Sequence, residues 1–208
     1  MRLRNVKNKK EIMASSIYLI DNPKEYIGKW RKLFNNTNPI YIEIGMGKGK
    51  FIIENAINNP NINFIGIEKY DSVMAKAISK VKEGLNNLKL IRLDALNIDE
   101  VFREEIDRIY LNFSDPWPKN RHSTRRLTST IFLSKYDKIF KKTKEICQKT
   151  DNRNLFEYSL ESLTNYGYKI AKISLDLYNS DIMDNIATEY EEKFVKENKI
   201  IYYLVATT

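Results

Sequence analysis

Ile40-Tyr41-Ile42-Glu43-Ile44-Gly45-Met46-Gly47-Lys48-Gly49-Lys50-Phe51 runs from an apolar strand, through three alternating glycines, into the start of an apolar helix. Glycine permits the tight turn and the close backbone approach that a bound ligand needs. The spacing is not G-x-G-x-x-G, because Lys50 stands where the third glycine belongs, and no G-K-[ST] makes a phosphate loop. Glu43, two residues before Gly45, would repel a phosphate at close range and suits a cationic ammonium instead.

Outward from this stretch, strands and helices alternate. Residues 51–59 read as a helix stopped by Pro60, and 63–68 as a second strand. Val73, Met74, Ala77, Ile78, Val81 and Leu85 recur at helical spacing, which predicts a helix over 71–86 with Asp71 at its N-cap. Residues 88–93 and 107–113 read as strands three and four, 128–144 as a helix and 145–149 as a short strand. A helix over 154–166 is closed by Gly167, and 168–177 and 199–207 read as two closing strands. The pattern predicts one α/β domain over 1–208: a mainly parallel sheet with helices on both faces, and ligands beyond the carboxyl ends of its strands. Residues 1–15 read as a mobile basic arm.

Acids recur where those strands end. Glu68 ends strand two, where doubly wound folds place a carboxylate on ribose hydroxyls. Asp94 and Ala95 end strand three, at the height of an adenine ring. Read with Glu43, Gly45 and Gly47, they describe an adenosine with a cationic amino-acid tail and no phosphate. S-adenosylmethionine fits that description better than NAD or ATP.

Strand four runs into Asn112-Phe113-Ser114-Asp115-Pro116-Trp117-Pro118-Lys119, where two prolines stiffen a turn carrying an acid and a large ring. Such a turn can hold a planar base by hydrogen bonding and stacking. Beyond it lie Lys119, Arg121, His122, Arg125 and Arg126, with no acid among them, a pattern that suits a phosphate backbone. The whole chain carries 35 Lys and Arg against 27 Asp and Glu, so polyanions are the first partners to consider. One cysteine, Cys147, and one histidine, His122, exclude a disulfide framework and His- or Cys-built metal sites. The first ten residues are basic and an apolar stretch follows, but Glu11, Ser15 and Ser16 interrupt it and no cleavage site comes after. The expectation is therefore a cytoplasmic protein with no membrane part.

EIGMGKGKF, GIEKY, RLDAL, YLNFSDPWPKNRHSTRRLT, TDNRNLFEYSL and ATEYEEKF occur in the order found in bacterial tRNA (guanine-N7)-methyltransferases, which this chain resembles from about Tyr41 onward. The resemblance implies a Rossmann-like class I methyltransferase fold of seven strands, the last antiparallel. It implies methyl transfer from S-adenosylmethionine to N7 of a guanine in the tRNA variable loop, by a monomer or a homodimer. By motif, Glu43, Glu68, Asp94 and Asp115 match cofactor positions, and Asp115 also matches the catalytic aspartate. Lys119, Asp151, Thr188, Glu189, Tyr190 and Glu191 match substrate positions, and the run from Arg121 to Arg126 matches RNA contacts. Asn120 and Thr124 depart from it, standing where lysine is frequent, which predicts weaker RNA affinity. Rival readings are a class I methyltransferase of small molecules or proteins, a non-catalytic RNA-binding protein and a dehydrogenase. The first leaves the basic run unexplained, the second leaves the strand-end acids unused, and the third lacks its glycine.

Overall fold

The computed structural model describes residues 6–208. A short helix α1 (Lys9–Ala14), a two-residue strand β1 (Leu19–Ile20) and α2 (Trp30–Phe34) precede the alternating body. The body comprises β2 (Ile40–Ile44), α3 (Lys50–Asn58), β3 (Asn63–Glu68), α4 (Asp71–Ile78), β4 (Leu88–Arg92) and β5 (Arg108–Asn112). After it come α5 (Thr130–Ile139), β6 (Glu145–Thr150), α6 (Arg153–Tyr166), β7 (Lys169–Ser174), α7 (Glu189–Lys196) and β8 (Tyr202–Thr207).

The strands form one sheet in the order β1-β4-β3-β2-β5-β6-β8-β7. Pairing is parallel from β1 through β6, and β8 lies antiparallel between β6 and β7. The mainly parallel sheet and its reversed final strand are as expected, but there are eight strands among the described residues rather than seven. Leu19 and Ile20 add an edge strand beside Leu90 and Ile91, and Leu90 N–H donates to Tyr18 O at 2.8 Å. Within the expected basic arm, residues 1–5 lie outside the described residues, and Lys9–Ala14 is helical.

Helices cover both faces because the strands are apolar on both sides. Trp30, Phe102, Phe132, Leu133, Tyr136, Phe156 and Leu163 build one core. Met46, Ile52, Phe64, Met74, Ala77 and Leu90 build the other, beneath α3 and α4. A Cβ on Gly66 would meet Met46 Sδ and Leu90 Cδ2, so the absence of a side chain there lets the glycine loop sink onto β3.

Two predicted helices are shorter than their apolar periodicity. The helix read over 71–86 stops at Ile78, and Val81 N–H turns back to Ile78 O at 3.0 Å. Val81 and Leu85 still reach the core from turns, one of them bent by Gly84 at φ +90°. The helix read over 128–144 ends at Ile139 because Phe140 becomes extended and bridges to Ile106. Periodicity reports which side chains are buried, and turns can bury them as well as a helix can.

Candidate active site

The glycine loop leaves β2 with Gly45 and Met46 both donating to Ile67 O at 2.9 Å. Gly45, Gly47 and Gly49 all have positive φ, at +78°, +58° and +79°. At Gly49 an added Cβ would crowd Ala77 and Ile53, both at 3.1 Å, whereas at Gly45 and Gly47 it would meet nothing within 4 Å. The third glycine therefore serves helix packing, and the first two leave open space over the strand ends.

The expected acids gather around that opening. Glu68 Oε2 accepts from Gly47 N–H at 3.2 Å and Oε1 from Tyr70 N–H at 2.9 Å. Burial raises its pKa against these backbone donors, and the charge of Asp115 adds to the rise. Asp94 accepts from Lys69 at 2.6 Å and from Leu96 N–H at 3.1 Å, capping the 3-10 turn that Ala95 begins. Burial pulls Asp94 upward, but those two donors outweigh it and hold the carboxyl below its usual range.

Glu43 is buried at the end of β2. Its Oε1 accepts from Asn112 Nδ2 at 2.9 Å, while its Oε2 has no hydrogen-bond partner. Burial drives its pKa up to about 8, against the Asn112 hydrogen bond and the Lys149 charge and with the help of Glu68. An acceptor buried without a donor is unfavourable by about 1–3 kcal/mol and marks where a donor belongs.

Asp115 is exposed in the turn after β5. Phe113 and Trp117 on either side hold left-handed φ of +50° and +43°, which non-glycine residues adopt only when their surroundings force it. The force comes from Phe113 N–H donating to Lys149 O at 2.8 Å and from Arg126. The Arg126 guanidinium donates to Pro116 O at 3.0 Å and Trp117 O at 3.1 Å, and lies over Tyr158 at 4.3 Å.

The basic run thus divides. Lys119, Arg121 and Arg125 face solvent and His122 is half-buried, but Arg126 is only 7% exposed and is spent on the turn. Arg125 stacks on Trp117 at 4.9 Å, and His122 meets the same indole edge-on at 5.8 Å. Trp117 is half-buried, so it lies beside the opening rather than in the core.

On the far side, Asp151 follows β6 and pairs with Lys199 at 3.2 Å. Thr188 caps α7 through a reciprocal box with Glu191. Glu189 bridges Lys48 of the glycine loop, at 2.6 Å, and Lys80. Burial raises the Glu189 carboxyl, but the two lysines outweigh it and hold the group low. Tyr190 is 44% exposed, whereas Glu191 is fully buried. Of the four, Tyr190 is therefore open to a ligand, and Glu191 holds the others in place.

A family model described as "Putative methyltransferase" matches residues 37–204. A tRNA (guanine-N(7)-)-methyltransferase of a Geobacillus species is 54% identical, covering 97% of this chain and 93% of that one. The enzyme of the same name from Lachnoclostridium phytofermentans is 51% identical over 99% and 98%, and that from Bacillus subtilis 49% over 97% and 96%. The chain belongs to the tRNA (guanine-N7)-methyltransferase family. Among solved structures, an antibiotic-related methyltransferase superposes with a TM-score of 0.69 at 19% identity, covering 91% of this chain and 96% of its own. The 16S rRNA methyltransferase KamB gives 0.62 at 14%, over 86% and 92%. These two likenesses show the methyltransferase fold.

Within this candidate site, sequence reasoning passed over Asn112, Lys149, Tyr178 and Asn185. Lys149 and Glu191 are buried together at 2.6 Å, and Tyr178 and Asn185 donate to the other Glu191 oxygen at 3.1 and 2.6 Å. The signal was a cation inside the otherwise uncharged run Ile146-Cys147-Gln148-Lys149-Thr150, two residues before Asp151. Period-two alternation puts it on the face that carries Cys147.

Proposed function

We propose that this chain transfers a methyl group from S-adenosylmethionine to N7 of a guanine in the variable loop of tRNA, acting as a single cytoplasmic domain. The observation that carries this reading is the unpartnered buried oxygen of Glu43 beneath an open glycine loop, with Glu68, Asp94 and the exposed Asp115 around it. The donor set fits the cofactor. Glu43 offers an acceptor for the ammonium, Gly45 and Gly47 offer bare backbone, Glu68 an acceptor for ribose, and Asp94 with Ala95 an edge for adenine. S-adenosylmethionine, when bound, supplies a sulfonium methyl as the electrophile.

Guanine N7 is a neutral lone pair with no proton to lose, so the chain needs no general base. Its work is to orient the base and to offset the positive charge that N7 methylation leaves on the purine. Asp115 is the catalytic residue in this reading, accepting from the N1–H and amino edge of the guanine or countering its developing positive charge, and Asp151 can serve the same edge. Lys119 and Tyr190 form the substrate side, Tyr190 on a lip that Thr188 caps and Glu189 ties to Lys48 and Lys80. Arg121, His122 and Arg125 take the RNA backbone, while Arg126 holds the catalytic turn and Glu191 holds the lip. Two missing cations at Asn120 and Thr124 weaken RNA affinity without touching the chemistry.

The test is incubation with labelled S-adenosylmethionine and unmodified tRNA, followed by chemical cleavage at 7-methylguanine. Label in the variable loop supports the reading; no label, or label elsewhere, rejects it. Asp115→Ala is expected to lower kcat by about 100-fold or more while leaving cofactor affinity close to the parent, and near-normal turnover would remove Asp115 from its role.

A further inference from the structure

Lys149 is buried at the end of β6, and its three ammonium hydrogens all have acceptors. They go to Asn185 Oδ1 at 3.0 Å, Ile186 O at 2.8 Å and Glu191 Oε2 at 2.6 Å, which exhausts its donors. The ammonium also lies 4.9 Å from the Phe51 ring at the start of α3. Asn185 and Ile186 belong to residues 180–188, an irregular strap between β7 and α7 whose Met183 is 88% exposed. Among the described residues, the body of the domain grips this strap through Lys149 and through Lys50, which donates to Ala187 O at 3.2 Å. Beneath the strap lies a cavity of about 120 Å³ lined by Arg108, Tyr110, Cys147 and Lys149.

Lys149 also faces the other half of the site. Asn112 is its partner in the β5–β6 register and donates to Glu43, so Glu43, Asn112 and Lys149 form a row across three adjacent strand ends. Its carbonyl takes the N–H of Phe113, two residues before Asp115. One residue thus meets the strap, α7, the catalytic turn and the row that ends in Glu43.

We propose that Lys149 is a positioning residue that locks the 180–188 strap and α7 onto the strand ends, and so sets the guanine side of the site against the cofactor side. The proposal rests on the methyl-transfer reading given above. Stability alone does not ask for this lysine, since a buried ion pair can be replaced by apolar residues of similar volume at little loss. An apolar residue would fill the space but could not hold Asn185, Ile186 and Glu191 in one geometry.

Lys149→Met alone leaves Glu191 buried and uncompensated, which unfolds or weakens the chain for trivial reasons. The informative protein is therefore Lys149→Met with Glu191→Gln, neutral and close in shape. It is expected to show faster amide hydrogen exchange across 180–188. Its kcat on tRNA should fall about 100-fold, the scale of an ångström-level misplacement, with KM for tRNA and Kd for S-adenosylmethionine within about threefold. A folded double variant with parental kcat, or with the loss confined to KM or Kd, overturns the proposal. Asn185→Leu leaves the ion pair intact and guards against a misfolded double variant: a severalfold loss of kcat supports the lock, and an unchanged kcat overturns it. The exchange measurement needs no RNA. If the parent methylates no tRNA, the reaction reading fails, while unaltered exchange in the folded double variant rejects the lock by itself.

Discussion

At the scale of single residues, environment decides what a carboxylate does here. Glu43, with a pKa near 8, holds its proton more tightly folded than unfolded, where the ordinary value is 4.5. Over that interval the folded chain binds more protons, so this group's contribution to stability is full below about 4.5 and is lost as pH rises through about 8. Denaturant midpoints measured from pH 5 to pH 8.5 should therefore decline more steeply in the parent than in Glu43→Gln; parallel curves would refute the buried carboxyl. A ligand ammonium on Oε2 favours the ionised form, so calorimetry in buffers of different ionisation enthalpy should record proton release when S-adenosylmethionine binds near neutral pH. Glu43, Glu68, Asp94 and Asp115 were legible because each stands at or just beyond the end of an apolar strand, Glu43 before the glycine loop and Asp115 before a proline. Lys149 and Arg126 were not, since the inward turn of a cation depends on acceptors that its own run of sequence does not mark, in the strap and α7 for Lys149 and in the preceding turn for Arg126. Arg126 looks like its neighbours in sequence, yet its acceptors are the carbonyls of Pro116 and Trp117.

At the scale of elements, α7 shows how a short helix becomes a lip. Thr188 Oγ1 accepts from Glu191 N–H at 3.0 Å, and Glu191 Oε2 accepts in return from Thr188 N–H at 3.2 Å. Thr188→Ala should weaken this end by about 1 kcal/mol. Exchange in residues 188–192 should quicken while the global melting temperature barely moves; a large drop in that temperature would contradict a local role. Glu189 ties the same turn to Lys48 and Lys80, but partly exposed pairs of this kind contribute about 1 kcal/mol or less. The capping box of α7 is written in four consecutive residues, Thr188 to Glu191. The ends of α4 and α5 were not legible in the sequence, because the tight turn in which Lys80 and Val81 bond back to Ala77 and Ile78, and the Ile106–Phe140 bridge, replace helix with turn and extended chain. The strap has no period at all, so no pattern in it announces its contacts.

At the scale of the whole molecule, the excess of positive charge becomes a directional property. Many lysines are matched by acids, Lys48, Lys50, Lys69, Lys80 and Lys135 among them. Lys119, Arg121 and Arg125 face solvent beside the opening. Arg121→Ala should lower tRNA affinity and reduce the slope of log K against log salt by about one. Arg126→Ala should instead lower kcat and stability, with the slope unchanged. Equal slopes for the two variants would show that burial does not separate them. The sheet as a whole was legible because its central strands, buried on both faces, read as short apolar runs set between segments of helical periodicity.

The order of the last three strands carries a consequence for how the chain is made. β7 pairs, among the described residues, with β8 alone, and β8 is the later of the two in sequence. During synthesis β7 therefore emerges before any partner exists for it, with an open edge ready to pair with another nascent chain. Removing residues 202–207 should cost the sheet two strands rather than one and raise the aggregated fraction over that of the parent, which sedimentation after expression would register. Emergence of β8, not completion of the parallel core, becomes the moment at which β7 is protected from its neighbours.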